Sequence, residues 1–169
     1  MGANISLFLV SAAFLIGFSS DISKGNNAIA RDGTRTVVRV VDGDTLVLSP
    51  NEKVRLIGVD TPETKHPKKP VQCFGQEAKQ FTTRMASGNE IRLQLDETNW
   101  RTGHKDRYGR TLAYVYLKDG TLLNAEIIRR GYGHVYTRFP FHRRAEFRDL
   151  EKQARAEGLG LWSTCRLRS

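Results

Sequence analysis

The stretch Val54-Arg55-Leu56-Ile57-Gly58-Val59-Asp60-Thr61-Pro62-Glu63-Thr64 joins an apolar strand carrying one arginine to a turn that presents two carboxylates and a threonine. Packing gives no reason for a buried strand to end in Asp-Thr-Pro-Glu. Paired carboxylates hold a divalent cation or handle a proton, and a guanidinium grips an anion. The chemistry this suggests is a phosphate ester held beside a metal. A third carboxylate, Asp44, follows the Asp42-Gly43 turn signal. Adjacent antiparallel strands can bring Asp44 and Asp60 together. Their oxygens, with the Thr61 carbonyl or hydroxyl, suit Ca²⁺ or another hard cation completed by water. Taken alone, Asp42-Gly43-Asp44 is an ordinary turn, and Asp60 is equally a cap or Asx-turn before Pro62.

Arg55 lies five residues before Asp60. Odd spacing puts the two on opposite faces of an ideal strand, unless a bulge intervenes, and Gly58 is the candidate bulge. The plain alternative for Arg55 is a solvated edge charge. Arg110, in Asp106-Arg107-Tyr108-Gly109-Arg110, can reach a phosphate from the other side. Two guanidinium forks on one phosphodiester would neutralise its ground-state charge and the charge that builds in the transition state. Alone, this segment reads as a charged loop with a Tyr-Gly turn. Lys65, Lys68 and Lys69 either touch a phosphate backbone or are simply solvated, and so does the cluster Arg129, Arg130, Arg138, Arg143 and Arg144. The histidines, at 66, 104, 134 and 142, have no ligand spacing and read as surface residues.

These residues need a scaffold, and the chain is long enough to build one. Its 169 residues fit one domain with a full core plus a removable segment. A net charge of +9 favours polyanionic partners. Strands are expected at Thr36–Val41, Thr45–Leu48 and Val54–Val59, joined by tight turns. A helix follows, with Phe74, Ala78, Phe81 and Met85 on one face. Glu90–Asp96 alternates as a half-buried strand, Thr98–Gly109 is a polar loop, and Thr111–Leu117 is the fifth strand. Leu122–Arg130 is a short helix with Gly131 at its end, and Phe141–Glu157 is the last, with Phe147, Leu150 and Ala154 facing inward. Leu159, Leu161 and Trp162 pack back on the body. The order β-β-β-α-β-β-α-α predicts an α+β, mainly β domain: a five-stranded OB-fold barrel with three helices.

Residues 5–18, ISLFLVSAAFLIGF, carry no charge. A run this short suits a signal-peptide core better than a membrane span, with cleavage after Ala30 of Ala28-Ile29-Ala30. The alternative is an uncleaved anchor. Removing residues 1–30 deletes Lys24 and Asp21, so the charge stays at +9. Residues 19–33 read as a linker, 34–163 as the domain, and 164–169 as a short tail. Export would allow the two cysteines, Cys73 and Cys165, to pair.

In combination, three blocks resemble the signature of the staphylococcal nuclease (thermonuclease) family. They are Val41-Asp42-Gly43-Asp44-Thr45, the stretch from Arg55 to Pro67, and Asp106-Arg107-Tyr108-Gly109-Arg110-Thr111-Leu112-Ala113-Tyr114. Ala154 and Leu161-Trp162-Ser163 match the family's C-terminal pattern. The resemblance implies that Asp44, Asp60 and the Thr61 carbonyl hold Ca²⁺. It implies that Arg55 and Arg110 bind the scissile phosphate and that Glu63 acts on the attacking water. Cleavage at the P–O5′ bond of DNA or RNA would leave a 3′-phosphate. Tyr108 matches a base-stacking tyrosine. Tyr136 is the downstream candidate, in a stretch that departs from the family's paired tyrosines. The expectation is a Ca²⁺-dependent endonuclease, secreted or periplasmic, acting as a monomer without an obligate protein partner. The alternative is a catalytically weak nucleic-acid-binding OB module.

Overall fold

The structure, a computed structural model, describes residues 28–30, 33–64 and 70–165, the first three by backbone alone. The apolar segment 5–18, the lysines 65, 68 and 69, and His66 lie outside the described residues. Strands β1 (Ala28–Ala30), β2 (Arg35–Asp42), β3 (Thr45–Leu48), β4 (Glu52–Leu56) and β5 (Val59–Asp60) come first. Helix α1 (Gly75–Ala86), β6 (Glu90–Asp96), a 3₁₀ turn over Glu97–Thr102 and β7 (Thr111–Leu117) follow. Helix α2 (Leu123–Arg129), β8 (His134–Val135), α3 (Arg144–Ala156) and α4 (Leu161–Thr164) complete the chain. The longer elements keep the expected order.

The strands pair in the order β6-β2-β3-β4-β7, and β6 pairs again with β7, so five strands close a barrel of the OB type. Among the described strands, only β4 and β7 run parallel. The register of β2 against β3 slips twice, between Val37 and Arg39 and between Val40 and Asp42. Bulges of this kind bend a strand enough for a small barrel to close. Inside lie Val37, Leu46, Leu48, Val54, Leu56, Ile91, Leu93, Leu112 and Val115, with Phe147 and Ile127 from the helices that cap the barrel. Asn124 in α2 is fully buried and fully used. It accepts from the Val115 N–H and donates to the Ile57 and Ala113 carbonyls. That one amide locks α2 against both β7 and the exit of β4.

Three expectations need correction. Part of the segment read as linker is strand, because β1 pairs with β6. The third strand does not run unbroken from Val54 to Val59. It stops at Leu56, turns at Gly58 (φ 79°), and resumes as β5 in a separate sheet with β8. The polar loop also contains the 3₁₀ turn.

Asp96 fastens the bottom of this scaffold. Its carboxylate accepts from Tyr114 Oη at 2.6 Å, from the His142 N–H at 2.8 Å, and from the Thr98 N–H and hydroxyl at 3.0 and 2.7 Å. Burial alone would raise its pKa, but these donors outweigh burial and hold it below the usual carboxylate value. A depressed folded pKa means the stabilisation is present above the unfolded value and is lost as pH falls through the folded one. Asp96→Asn turns an amide N–H₂ toward one of these donors. It is expected to cost about 2 kcal/mol at neutral pH, and to flatten the acid limb of a urea-midpoint-against-pH profile. An unchanged midpoint would show that the network carries no stability.

Candidate active site

The Asp42-Gly43-Asp44 turn docks both ends of the acidic turn that follows β5. Asp44 Oδ2 accepts the Thr61 N–H at 3.0 Å. Asp42 Oδ1 accepts the Thr64 N–H at 3.3 Å and the Thr64 hydroxyl at 2.6 Å. The Thr82 hydroxyl of α1 fixes the same β2–β3 turn from behind, donating to the Gly43 carbonyl at 2.6 Å. A Cβ at residue 43 would sit 2.8 Å from the Thr61 hydroxyl, so the two turns meet at a distance only glycine permits.

Arg55 stands between the carboxylates. Its side chain is 8% exposed, with Nη1 2.6 Å from Asp44 Oδ2 and Nη2 2.9 Å from Asp60 Oδ1. The Nη2 contact is a directed hydrogen bond. The Nη1 contact is an ion pair without hydrogen-bond alignment. The solvated-edge reading of Arg55 is therefore wrong. The break at Gly58 explains how odd spacing still brings Arg55 to Asp60: the chain leaves the β4 face and re-enters as β5, so strand parity no longer applies.

Two anions share one buried cation here, and the balance is visible at Asp60. Burial pushes its pKa up, Arg55 pulls it down, and the neighbouring Asp44 pushes it up again, leaving it above the usual value. A divalent cation would relieve that surplus. The Thr61 hydroxyl is buried and has no hydrogen-bond partner, an orphaned oxygen beside the pair. Two carboxylates and oxygen donors from Thr61 suit a hard cation. Among the described residues, no cluster of three or more His, Cys, Asp or Glu side chains is poised to hold a metal, so backbone oxygen and water would have to complete the shell.

Arg110 is brought to the same place by Asp106. That buried carboxylate accepts Arg110 Nε at 2.7 Å, and the N–H groups of Tyr108 and Arg110 at 2.9 and 3.0 Å. Arg110 Nη1 then reaches to 3.4 Å from the Thr45 hydroxyl, which itself donates to Asp44. Arg55, Arg110, Arg107, Arg138, Tyr108 and Tyr136 line one open cavity of about 130 Å³, with Asp106 in its wall. Four arginines and one acid line it, so its wall is rich in guanidinium groups. Tyr136 is held by its N–H on the Gly58 carbonyl at 3.0 Å and faces the Arg55 guanidinium at 5.7 Å. Tyr108 is 66% exposed beside Arg110.

Glu63 is half-buried on the turn between Thr61 and Thr64. Its N–H donates to Gln72 Oε1 at 2.8 Å and its carbonyl accepts the Gln72 N–H at 3.0 Å. The candidates Asp44, Arg55, Asp60, Thr61, Arg110, Tyr108 and Tyr136 are thus brought together, with Glu63 on the adjoining turn.

Sequence reasoning missed Asp106, Gln72 and His134. Asp106 had a signal, since an Asp two and four residues before N–H groups that need an acceptor, ahead of a Tyr-Gly turn, is an Asx pattern. Gln72 and His134 had none. His134, read as a surface residue, is the strand partner of Asp60 and meets the Trp162 ring edge-on at 4.8 Å. Burial lowers its pKa, against the pull of Glu151 and Asp60. His104 is likewise half-buried, on the Asp96 carbonyl.

Residues 53–164 match the model of the family described as Staphylococcal nuclease homologue. The chain is 38% identical over 138 residues to the Thermonuclease of Staphylococcus hyicus, covering 79% of this chain and 78% of that one. It is 36% identical over 143 residues to the Thermonuclease of Staphylococcus intermedius, covering 82% of each. It is 35% identical over 133 residues to Endonuclease YncB of Bacillus subtilis, covering 76% of this chain and 61% of that one. By its barrel, its ordered blocks and these likenesses, the chain belongs to the staphylococcal nuclease family.

Proposed function

We propose that this protein is a Ca²⁺-dependent endonuclease that hydrolyses the P–O5′ bond of DNA or RNA and leaves 3′-phosphates. Family membership and relatives named thermonuclease and endonuclease support a nuclease. The finer reading rests on one observation: Arg55 binds both Asp44 and Asp60 while lining, with Arg110, a single cavity. Arg55 and Arg110 would each hold non-bridging oxygens of one phosphodiester, Arg55 from the buried side and Arg110 from the rim. Asp44, Asp60 and the Thr61 carbonyl would hold Ca²⁺, which supplies positive charge against the phosphate as negative charge builds. Glu63 would take a proton from water as its oxygen bonds to phosphorus. The P–O5′ bond breaks, and the leaving oxygen takes up a proton to become a 5′-hydroxyl. Tyr108 and Tyr136 offer ring faces to the bases, which gives grip without sequence preference.

The partner is then nucleic acid held through phosphates, so affinity should fall steeply with salt. We assign Lys65, Lys68 and Lys69 to the same backbone contacts on sequence grounds. We assign the protein to an extracytoplasmic compartment on its apolar N-terminal run and its paired cysteines, and we propose that it acts as a monomer. Among the described residues, no helix is long and apolar enough to cross a membrane.

The test is cleavage of single-stranded DNA and RNA by the full chain, with Ca²⁺ or with a chelator. The expected result is cleavage only with Ca²⁺, with 3′-phosphate ends that resist a polymerase until a phosphatase removes them. Binding without cleavage under any metal or pH would leave the nucleic-acid-binding module instead.

A further inference from the structure

Cys73 and Cys165, 92 residues apart, are joined in the structure. Closing so long a loop removes conformational freedom from the unfolded chain. The place where the bridge lands is more informative. Cys73 follows Gln72 directly, and Gln72 grips Glu63 through both main-chain groups. The stretch Pro70-Val71-Gln72 is exposed throughout, so packing does little to hold it. On its downstream side, Phe74 sits 5.3 Å from the Tyr132 ring and anchors the start of α1 in the body. Cys165 ends α4, which is fastened by the Leu161 N–H on the Gly131 carbonyl at 2.9 Å. The bridge thus ties a lightly packed residue pair, Gln72-Cys73, to a firmly docked helix.

We propose that Gln72 is the positioning residue for Glu63, and that the Cys73–Cys165 disulfide holds Gln72 in register, so that the oxidised protein is the competent nuclease. The inference rests on Glu63 acting on the attacking water. Two molecules of a low-molecular-weight thiol reduce the bridge, giving the Cys73 and Cys165 thiols and one thiol-derived disulfide. A solvent-open groove of about 460 Å³ lined by Pro62, Gln72, Cys73, His134, Trp162 and Cys165 lets such a reductant reach the sulfurs. With the bridge open, Phe74 keeps α1 in place and the Gly75 N–H still donates to the Gln72 carbonyl at 3.0 Å, but Gln72 loses the covalent tie to α4 through its neighbour Cys73. Glu63 then samples more positions, and the phosphate clamp, which hangs on Asp44 and Asp106, is untouched. A nuclease built this way is restrained in a reducing cytosol and becomes active where disulfides form.

The experiment compares kcat and KM on a single-stranded oligonucleotide with saturating Ca²⁺, well below each form's Tm. The forms are the oxidised full chain, the same chain reduced by a phosphine that does not chelate Ca²⁺, Cys73→Ser/Cys165→Ser, Gln72→Met and Glu63→Gln. Gln72→Met keeps the side-chain length and removes the acceptor. The expected result is a kcat loss of roughly 10- to 100-fold in Gln72→Met, in the reduced chain and in the double serine variant. KM should stay within about threefold. Reduction should add little to Gln72→Met, because both act through one contact. Full kcat in the reduced chain and in Gln72→Met, with Glu63→Gln inactive, overturns this inference and leaves the role of Glu63 standing. Full kcat in Glu63→Gln overturns both.

Discussion

Glu63→Gln is expected to lose turnover by on the order of 10²–10⁴-fold while holding oligonucleotide almost as tightly as the parent. The substitution keeps the side chain's shape. The two main-chain contacts of residue 63 with Gln72 survive the change. What is lost is a carboxylate that can accept a proton from water. The proposed binding groups lie elsewhere: Arg55 on its two aspartates, Arg110 on Asp106, and the ring of Tyr108. Arg110→Ala should behave differently. It removes the charge-assisted clamp proposed for both ground and transition states, so KM should rise as well as kcat fall, with kcat down by about 10²–10³-fold. Quench-flow turnover alongside oligonucleotide binding in chelator separates the two patterns. A Glu63→Gln variant that cleaves within about threefold of the parent would remove Glu63 from the chemistry.

The contrast between these residues follows how far the chain shows its site without coordinates. Thr45–Leu48, Glu90–Asp96 and Thr111–Leu117 were legible to the residue, because β-branched content, alternation and flanking turn signals all agree there. The Asp44, Asp60 and Arg110 blocks each read alone as ordinary turns or a charged loop, and only their ordered combination pointed to chemistry, through its resemblance to one family. Their supports were not legible. Thr64 on Asp42 spans 22 residues and Thr82 on Gly43 spans 39, and no local pattern marks such pairs. Strand β8 is two residues long and gives no periodicity to read, yet it pairs with Asp60. The break between β4 and β5 was hidden for a different reason. Val54–Val59 is an apolar run but for Arg55, and an apolar run says only that a segment is buried, not that it changes sheets within its length.

That break makes Gly58 a backbone position on which the site depends. Gly58→Ala is expected to destabilise the protein by about 4 kcal/mol, the sum of two penalties. The residue has φ 79°, where an L side chain is strained. A Cβ there would also lie 2.8 Å from the Phe141 ring and 2.9 Å from Phe147, both buried in the core and unable to move aside. If the chain relieves the clash by shifting β5, Asp60 moves away from Arg55 and the Gly58 carbonyl leaves the Tyr136 N–H. Cation affinity and turnover should then fall together, even at temperatures where the variant stays folded. Gly88→Ala provides the control. It has a similar φ of 76° with nothing near its Cβ, so it carries the conformational penalty without the clash. It should cost only about 1–2 kcal/mol and leave Ca²⁺ affinity unchanged. Urea unfolding and Ca²⁺ titration of the two variants measure both halves of the argument. Equal losses of stability in both, with Ca²⁺ affinity intact, would show that β5 is not held in place by the close approach of Gly58 to the aromatic core.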